Sequence, residues 1–394
     1  MDKYQNFQLP SIDLLEQNVH SVNLSDEEIA EKIDIIKKTF EEANIGVKEI
    51  KVHPSSAVSL YEVVPQRGPK LVLLRDWKEN LPWALQSLNA SIVTNFSYRG
   101  TIGIEIPNKM SKSISFYNLL KSSKLLEAGM ELPIGIGVST DNMPFTCDLN
   151  ELKRLLICGG TAQGKTMLLN IIITSLLLSK KPDQLKLMLF DPKKKAFSLY
   201  NRIKDQYLFK SENSEREVIV KWNKFKPGLK LLVKEMYRRL HLIERARVYD
   251  LKEYNDLCQN MTENEKKRER LPYIVVVIDE YADMISLAGK KVETYILRLS
   301  RMGSWLGINI IMATQCPTCD IISGRIKTDF QNRICFRVNS DVESRIILDR
   351  SGAESLIGPG DMLIQHKVTQ LKRVQGAYIT DSEIEAVCNY ISAQ

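Results

Sequence analysis

The chain has 394 residues, 44% of them hydrophobic and 26% charged, with a formal net charge of +7. That length allows two or three domains with a substantial core, and the balance excludes a disordered or low-complexity class. The mild positive charge suits a nucleic acid or an acidic surface as partner without selecting either.

Seven scattered cysteines, an odd number, point to a reducing compartment rather than a disulfide framework. The N-terminal stretch has no apolar signal region. The greasiest segment, Met167 to Leu178, spans 12 residues and includes Asn170, Thr174 and Ser175. A bilayer span needs about 20 apolar residues. The reading is a cytoplasmic protein with no direct membrane span, reaching any membrane through a partner.

Residues 1–24 read as a loosely structured lead-in. Ser25 followed by Asp26, Glu27 and Glu28 starts a helix that runs to about Ala43, with Ile29, Ile33, Ile36 and Phe40 on its apolar face. Val47–Val52, Ser59–Pro65, Lys70–Leu74, Ile92–Phe96 and Thr101–Ile106 read as strands, and Trp83–Leu88 as a helix. His53 reads as a surface or packed histidine. This gives a small α+β accessory domain over 25–144, followed by a larger unit over 145–394. From Leu152 strands alternate with helices, which implies an α/β core with a mostly parallel sheet flanked by helices. Expected strands are Leu155–Cys158, Leu185–Phe190, Tyr273–Ile278, Ile308–Ala313, Arg333–Val338 and Met362–Ile364. Residues 211–270 read as mostly helical and charged, with a solvated loop at 263–270. A further helix is expected near Val292–Met302.

Gly159, Gly164, Lys165 and Thr166 fit G-x-x-x-x-G-K-[ST], between an apolar strand and a helical run. A phosphate chain needs this order. Glycines let the loop Gly159-Gly160-Thr161-Ala162-Gln163-Gly164 turn its N–H groups inward, and the helix N-terminus adds partial positive charge. Lys165 is expected on the β/γ-phosphates and the Thr166 hydroxyl on Mg²⁺. Tyr273–Ile278 is a continuous apolar run ending in Asp279 and Glu280. Asp279 is expected in the Mg²⁺ shell, and Glu280 polarising the attacking water. Thr314 and Gln315, ending the next strand, suit sensing the γ-phosphate or orienting that water. Together these imply hydrolysis of ATP with Mg²⁺.

Several segments then point to one family. Tyr273-Ile-Val-Val-Val-Ile-Asp279-Glu280, Gly289-Lys-Lys-Val-Glu293, Gly307-Ile-Asn-Ile-Ile-Met-Ala-Thr-Gln315, Ser344-Arg-Ile-Ile-Leu-Asp349 and the run Gly352 to Leu363 resemble FtsK/SpoIIIE-type DNA translocases. Asp191-Pro-Lys193 and Glu235-Met-Tyr-Arg-Arg239 fit the same pattern. Leu9–Leu15 and Gly103–Lys109 resemble the small α domain that precedes the motor in that family. The resemblance implies a RecA-like P-loop motor, a homo-oligomeric ring (a hexamer in the family) around double-stranded DNA, and ATP held between subunits. Family members often add a membrane-spanning region and a winged-helix domain. Motifs for neither stand in these residues, so a membrane-anchored or relaxosome-type protein is expected as partner.

The departures concern cations. The family's R-A-A-G-I stretch is Ser304-Trp-Leu-Gly-Ile308 here, so the arginine acting in trans is assigned to Arg301, with Arg298 second. The family's arginine after Ala-Thr-Gln is Cys316, and the lysine before its S-R motif is Asp341. DNA contacts then fall to Lys327, Arg337 and Arg345. Cys316 and Cys319 form a C-x-x-C without a second pair, and are expected to carry no metal. Lys230, Lys234, Arg238 and Arg245 read as a solvated face. The expected function is an ATP-dependent double-stranded DNA translocase serving DNA transfer or segregation of a chromosome or mobile element. The alternatives are a secretion-type ATPase moving protein and a catalytically silent DNA-binding ring.

Overall fold

Apolar runs without polar alternation need cover on both faces, and that requirement sets the architecture. The computed structural model describes residues 4, 6–17, 26–42, 45–53, 58–66, 91–93, 101–107, 114–209, 217–259, 269–366 and 370–394. The expected strand Lys70–Leu74 and helix Trp83–Leu88 lie outside the described residues, as does most of the expected loop 263–270.

Near the N-terminus, β1 (Val47–His53), β2 (Val58–Pro65), β3 (Ser91–Val93) and β4 (Ile102–Pro107) form an antiparallel sheet in the order β1-β2-β4-β3. Helix α1 (Asp26–Glu42) presents Ile36 and Phe40, and both are fully buried against Tyr61, Val63 and Ile104. This sheet has its own small core.

The larger sheet has ten strands. Its parallel part contains β8 (Arg154–Cys158), β9 (Leu185–Phe190), β10 (Tyr273–Ile278), β11 (Ile308–Thr314) and β12 (Asn332–Phe336), ordered β12-β8-β11-β10-β9. Beyond β12 it continues antiparallel through β13 (Asp361–His366), β14 (Gln370–Tyr378), β6 (Pro133–Ser139) and β7 (Pro144–Asp148), while β5 (Ile114–Ser115) pairs with β14. Helix α2 (Lys165–Ser179) is apolar nearly all round and buried over almost its whole length, as a helix under such a sheet must be. Helix α3 (Trp222–Ala246) packs an amphipathic face on the other elements, and its buried Arg239 donates to the Leu306 and Pro272 carbonyls and to Glu235.

Two segments sit differently from the expectation. β6 and β7 hydrogen-bond into the larger sheet, so that unit's sheet takes in residues upstream of 144. Gly135 donates to Ser175 of α2, which fixes β6 there. In the lead-in, Phe7 and Leu15 are buried in the larger core. Gln8 and Gln394 exchange two hydrogen bonds, and Glu16 N–H donates to Glu383. Short apolar anchors, too few to show periodicity, hold this segment.

The two sheets meet at a buried ion cluster. Arg373 of β14 donates to both oxygens of Asp361, at 3.0 and 2.7 Å, and to Glu105 of β4. Burial works to lower the Arg373 pKa, but Asp361 and Glu105 outweigh it and hold the guanidinium above its usual range. Removing one partner of such a cluster strands the others in a poor solvent. Arg373→Ala leaves two facing carboxylates and should cost about 3–5 kcal/mol in urea unfolding. Glu105→Gln leaves a balanced pair and should cost clearly less; the reverse ranking would show that the cluster does not hold the sheets together.

Candidate nucleotide site

In a parallel sheet, ligands gather outside the carboxyl ends of the strands where the order reverses. Here β8 lies between β11 and β12, and the chain leaving β8 is the glycine loop. Gly159 has φ +152°, and a Cβ there would fall 2.5 Å from the Phe336 Cβ. Gly164 has φ +113° and packs against Gly360 and Phe336. Side chains at either position would push the loop off the sheet edge. Gly160 N–H donates to the Arg337 carbonyl at 2.8 Å, and Gly360 N–H donates to the Gln163 carbonyl at 2.9 Å. The loop is thus pinned to the ends of β12 and β13. Lys165 opens α2, 8% exposed, with Nζ donating to the Gly159 and Gly160 carbonyls at 2.9 and 2.7 Å. Thr166 is exposed on the first turn.

The neighbouring strand ends supply carboxylates. Asp191 follows β9, and Asp279 and Glu280 follow β10; all three are buried. Asp191 Oδ2 accepts the Ala196 and Phe197 N–H groups, while its Oδ1 is buried without a hydrogen-bond partner among the described residues. Burial first, then Asp191 and Glu280, push the Asp279 carboxyl up to about 6. Burial lowers the Lys165 pKa, partly offset by Glu280 and Asp279. Glu280 has φ +61° as it caps helix α4 (Tyr281–Ala288), a left-handed conformation that costs a non-glycine residue about 1–2 kcal/mol. The turn keeps its carboxylate at the strand edge. Oε1 accepts from the Gln315 N–H at 3.1 Å and faces the Thr314 hydroxyl at 3.4 Å. Oε2 pairs with Lys193 at 3.1 Å. Gln315 Oε1 in turn accepts from the Thr161 hydroxyl at 3.0 Å, joining the β11 end to the glycine loop.

Three carboxylates therefore face two lysines at the mouth of the loop. Among the described residues no group of three or more His, Cys, Asp or Glu side chains is arranged to hold a metal ion, so a divalent cation such as Mg²⁺ beside Thr166 and Asp279 would draw the rest of its oxygen ligands from the nucleotide phosphates and water. Two cavities adjoin the loop. One of about 500 Å³ has an apolar lining that includes Ala162, Met167, Phe336, Met362 and Tyr378. The other, about 440 Å³, lies between Gly160, Thr161, Arg337 and Glu354.

The site residues expected from sequence divide into three groups. Lys165, Asp279, Glu280 and Gln315 come together with the loop. Arg301 ends helix α5 (Lys291–Met302), before β11 begins, at the opposite end of the strands. It is 61% exposed and paired with Asp329 at 3.1 Å. Two of the expected DNA contacts, Lys327 and Arg345, both border Asp349, while Arg337 lies beside the glycine loop. Lys327 donates to Asp349, which also pairs with Arg333. Arg345, on helix α6 (Asp341–Leu348), pairs with Asp341 one turn away. Arg337 lines the 440 Å³ cavity beside the loop and donates to the Ile357 carbonyl, because it directly follows β12 at the nucleotide edge. That position differs from the DNA-contact expectation. Sequence reasoning gave Lys193 no role beyond its place in Asp191-Pro-Lys193; the signal was its position three residues past a buried strand.

Asp279 yields a prediction for protein free of Mg²⁺ and nucleotide. Its folded carboxyl holds a proton up to about 6, against 3.8 unfolded. The folded state binds more protons in that window, so stability falls as pH rises through it. Asp279→Asn removes this loss. It should be more stable than wild type at pH 7–8 by about 1–3 kcal/mol, with the gain vanishing below pH 4. Equal stability at both ends of the range, by thermal unfolding in EDTA, would contradict the geometry.

Comparison with known proteins identifies the family. Residues 116–319 match the model of the FtsK/SpoIIIE family, and residues 9–108 match the FtsK alpha domain. The chain is 34% identical over 391 residues to the DNA translocase FtsK of Staphylococcus aureus (strain Mu50), covering 99% of this chain and 48% of the relative. It is 35% identical over 393 residues to the DNA translocase SpoIIIE of Bacillus subtilis (strain 168), covering 99% and 49%. The chain thus spans about half the length of the curated relatives it matches. Among solved structures, the pCW3 conjugation coupling protein TcpA shares the fold with a TM-score of 0.60 at 22% identity, over 90% of this chain and 96% of that one. The type VII secretion ATPase EccC of Thermomonospora curvata gives 0.61 at 20% identity, over 72% and 35%. No helix among the described residues is long and apolar enough to cross a membrane. The fold is that of a P-loop ATPase, with a nucleotide-binding loop, and by its sequence the chain belongs to the FtsK/SpoIIIE family.

Proposed function

We propose that this chain is an ATP-driven motor that moves double-stranded DNA through a ring of identical subunits, six as in its family. Membership of the FtsK/SpoIIIE family supports the DNA part of the reading, and its hydrolysis is carried by the junction at Glu280, whose carboxylate is bonded to the strand end that also touches the glycine loop through Gln315 and Thr161. Such a junction lets one side chain act on water while another registers the γ-phosphate.

In this reading the loop N–H groups and Lys165 hold the triphosphate, and the base lies in the apolar 500 Å³ cavity. Mg²⁺, held by Thr166 and Asp279, would supply charge neutralisation at the β- and γ-phosphates. Glu280 takes the proton of a water whose oxygen forms the new bond to the γ-phosphorus. The bond from that phosphorus to the bridging oxygen breaks, and ADP leaves. Gln315 keeps the water and the loop in register.

Arg301 lies at the wrong end of its own sheet to reach this centre, which supports a trans role on a neighbour's nucleotide. Its Asp329 partner is 10% exposed and holds the guanidinium ready at the surface. Lys327 and Arg345 are assigned to DNA phosphates and Arg337 to the nucleotide side. The cytoplasmic side of a membrane, reached through an anchored partner, is the setting proposed.

Duplex DNA should raise ATP turnover several-fold, and added salt should abolish the stimulation through counterion competition at the phosphates. The wild-type protein should also displace a third strand from a triplex. Lys165→Ala should lose turnover by about 10²-fold or more and Arg301→Ala by about 10³-fold, both remaining folded. Turnover indifferent to duplex, with no displacement, would remove the motor reading.

A further inference from the structure

The loop after β9 is built around Asp191. Its Oδ2 accepts the Ala196 and Phe197 N–H groups, and its carbonyl accepts the Lys194 N–H at 3.2 Å, where Lys194 turns with φ +58°. This tight turn leaves Lys193 at its crest, aimed at β10. Lys193 Nζ lies 3.1 Å from Glu280 Oε2 and 3.7 Å from Asp283 Oδ2 on the first turn of α4.

Glu280 is only 4% exposed, so little solvent orients its carboxylate. One oxygen is held by the rigid end of β11, through the Gln315 N–H and the Thr314 hydroxyl. A Glu carboxylate turns about its Cγ–Cδ bond over a broad torsional well, so contacts to one oxygen alone leave its plane loosely set. The second oxygen depends on Lys193, whose side chain is 36% exposed at the end of a flexible stem. Misplacement of a reacting group by about 1 Å can cost about 10²-fold in rate.

We infer that Lys193 is a positioning residue for hydrolysis, fixing the plane of the Glu280 carboxylate so that a lone pair of Oε2 faces the attacking water. The inference rests on the assignment of Glu280 above. It deepens that assignment by adding a residue outside the glycine loop and the acidic pair. Lys165 neutralises phosphate; Lys193 acts on the base.

The test compares wild type, Lys193→Met, Lys193→Arg, Glu280→Gln and the Lys193→Met/Glu280→Gln double variant in ATP turnover with duplex DNA, alongside equilibrium binding of a fluorescent ATPγS. Lys193→Met should lower kcat by about 10- to 100-fold while KM and nucleotide affinity stay within about twofold. Lys193→Arg should recover most of the loss. In the Glu280→Gln background the lysine change should do nothing further, because the two act as a unit. Normal kcat in Lys193→Met, a loss confined to KM and affinity, or an added loss on top of Glu280→Gln would each overturn the inference, the last two by pointing to a direct phosphate contact. Lys193→Gln, a donor without charge, replaces the methionine variant if that one fails to fold, and the same criteria apply. Wild-type turnover in Glu280→Gln alone would instead remove the base assignment, an outcome read without any change at Lys193.

Discussion

Three buried carboxylates drawn to one sheet edge, Asp191, Asp279 and Glu280, set the terms for everything around them. Burial first, and then the like charges of Asp191 and Glu280, raise the proton affinity of Asp279. Lys165 and Lys193 answer part of the charge, and burial lowers the first of these in turn. In the proposed reading a cation answers the remainder, and the glycine loop beside it takes an anion. A metal-bound triphosphate meets both needs at once.

The edge is held by backbone bonds rather than by side chains alone. The loop is tied to the end of β12 at Gly160 and to the turn before β13 at Gln163. That turn is fixed by Asp361, which accepts the Ile357 N–H and the Arg373 guanidinium. Arg373 also grips Glu105 of the small sheet. A continuous series of contacts therefore runs from the nucleotide loop to the N-terminal unit.

How much of this was legible depended on whether the signal was local. The glycine loop and the acidic pair are each encoded within a few residues, next to strands whose apolar runs are unbroken, so strand, loop and chemistry were read together. The strand Gln370–Tyr378 was not, because neither of its faces is consistently apolar; Arg373 sits on one face, neutralised by carboxylates from residues 361 and 105 that no local pattern reveals. Lys193 was missed for the same reason, since its partner lies 87 residues away. No strand was expected at Pro133–Ser139 or Pro144–Asp148, and the boundary at 144 fell between them because no local pattern states which edge of a sheet a short strand joins. Arg337 was expected as a DNA contact, and only the register of β12 puts it beside the glycine loop.

The charge account is tested most directly by thermal unfolding of the wild-type chain with ATPγS, in the presence of Mg²⁺ and again in EDTA. In the proposed reading the nucleotide binds tightly only with Mg²⁺ beside Thr166 and Asp279, so saturating nucleotide with Mg²⁺ should stabilise the fold by about 3 kcal/mol at a hundredfold excess over Kd, and far less in EDTA. An equal shift in the two conditions, or none in either, would mean that these carboxylates do not form a metal–triphosphate site.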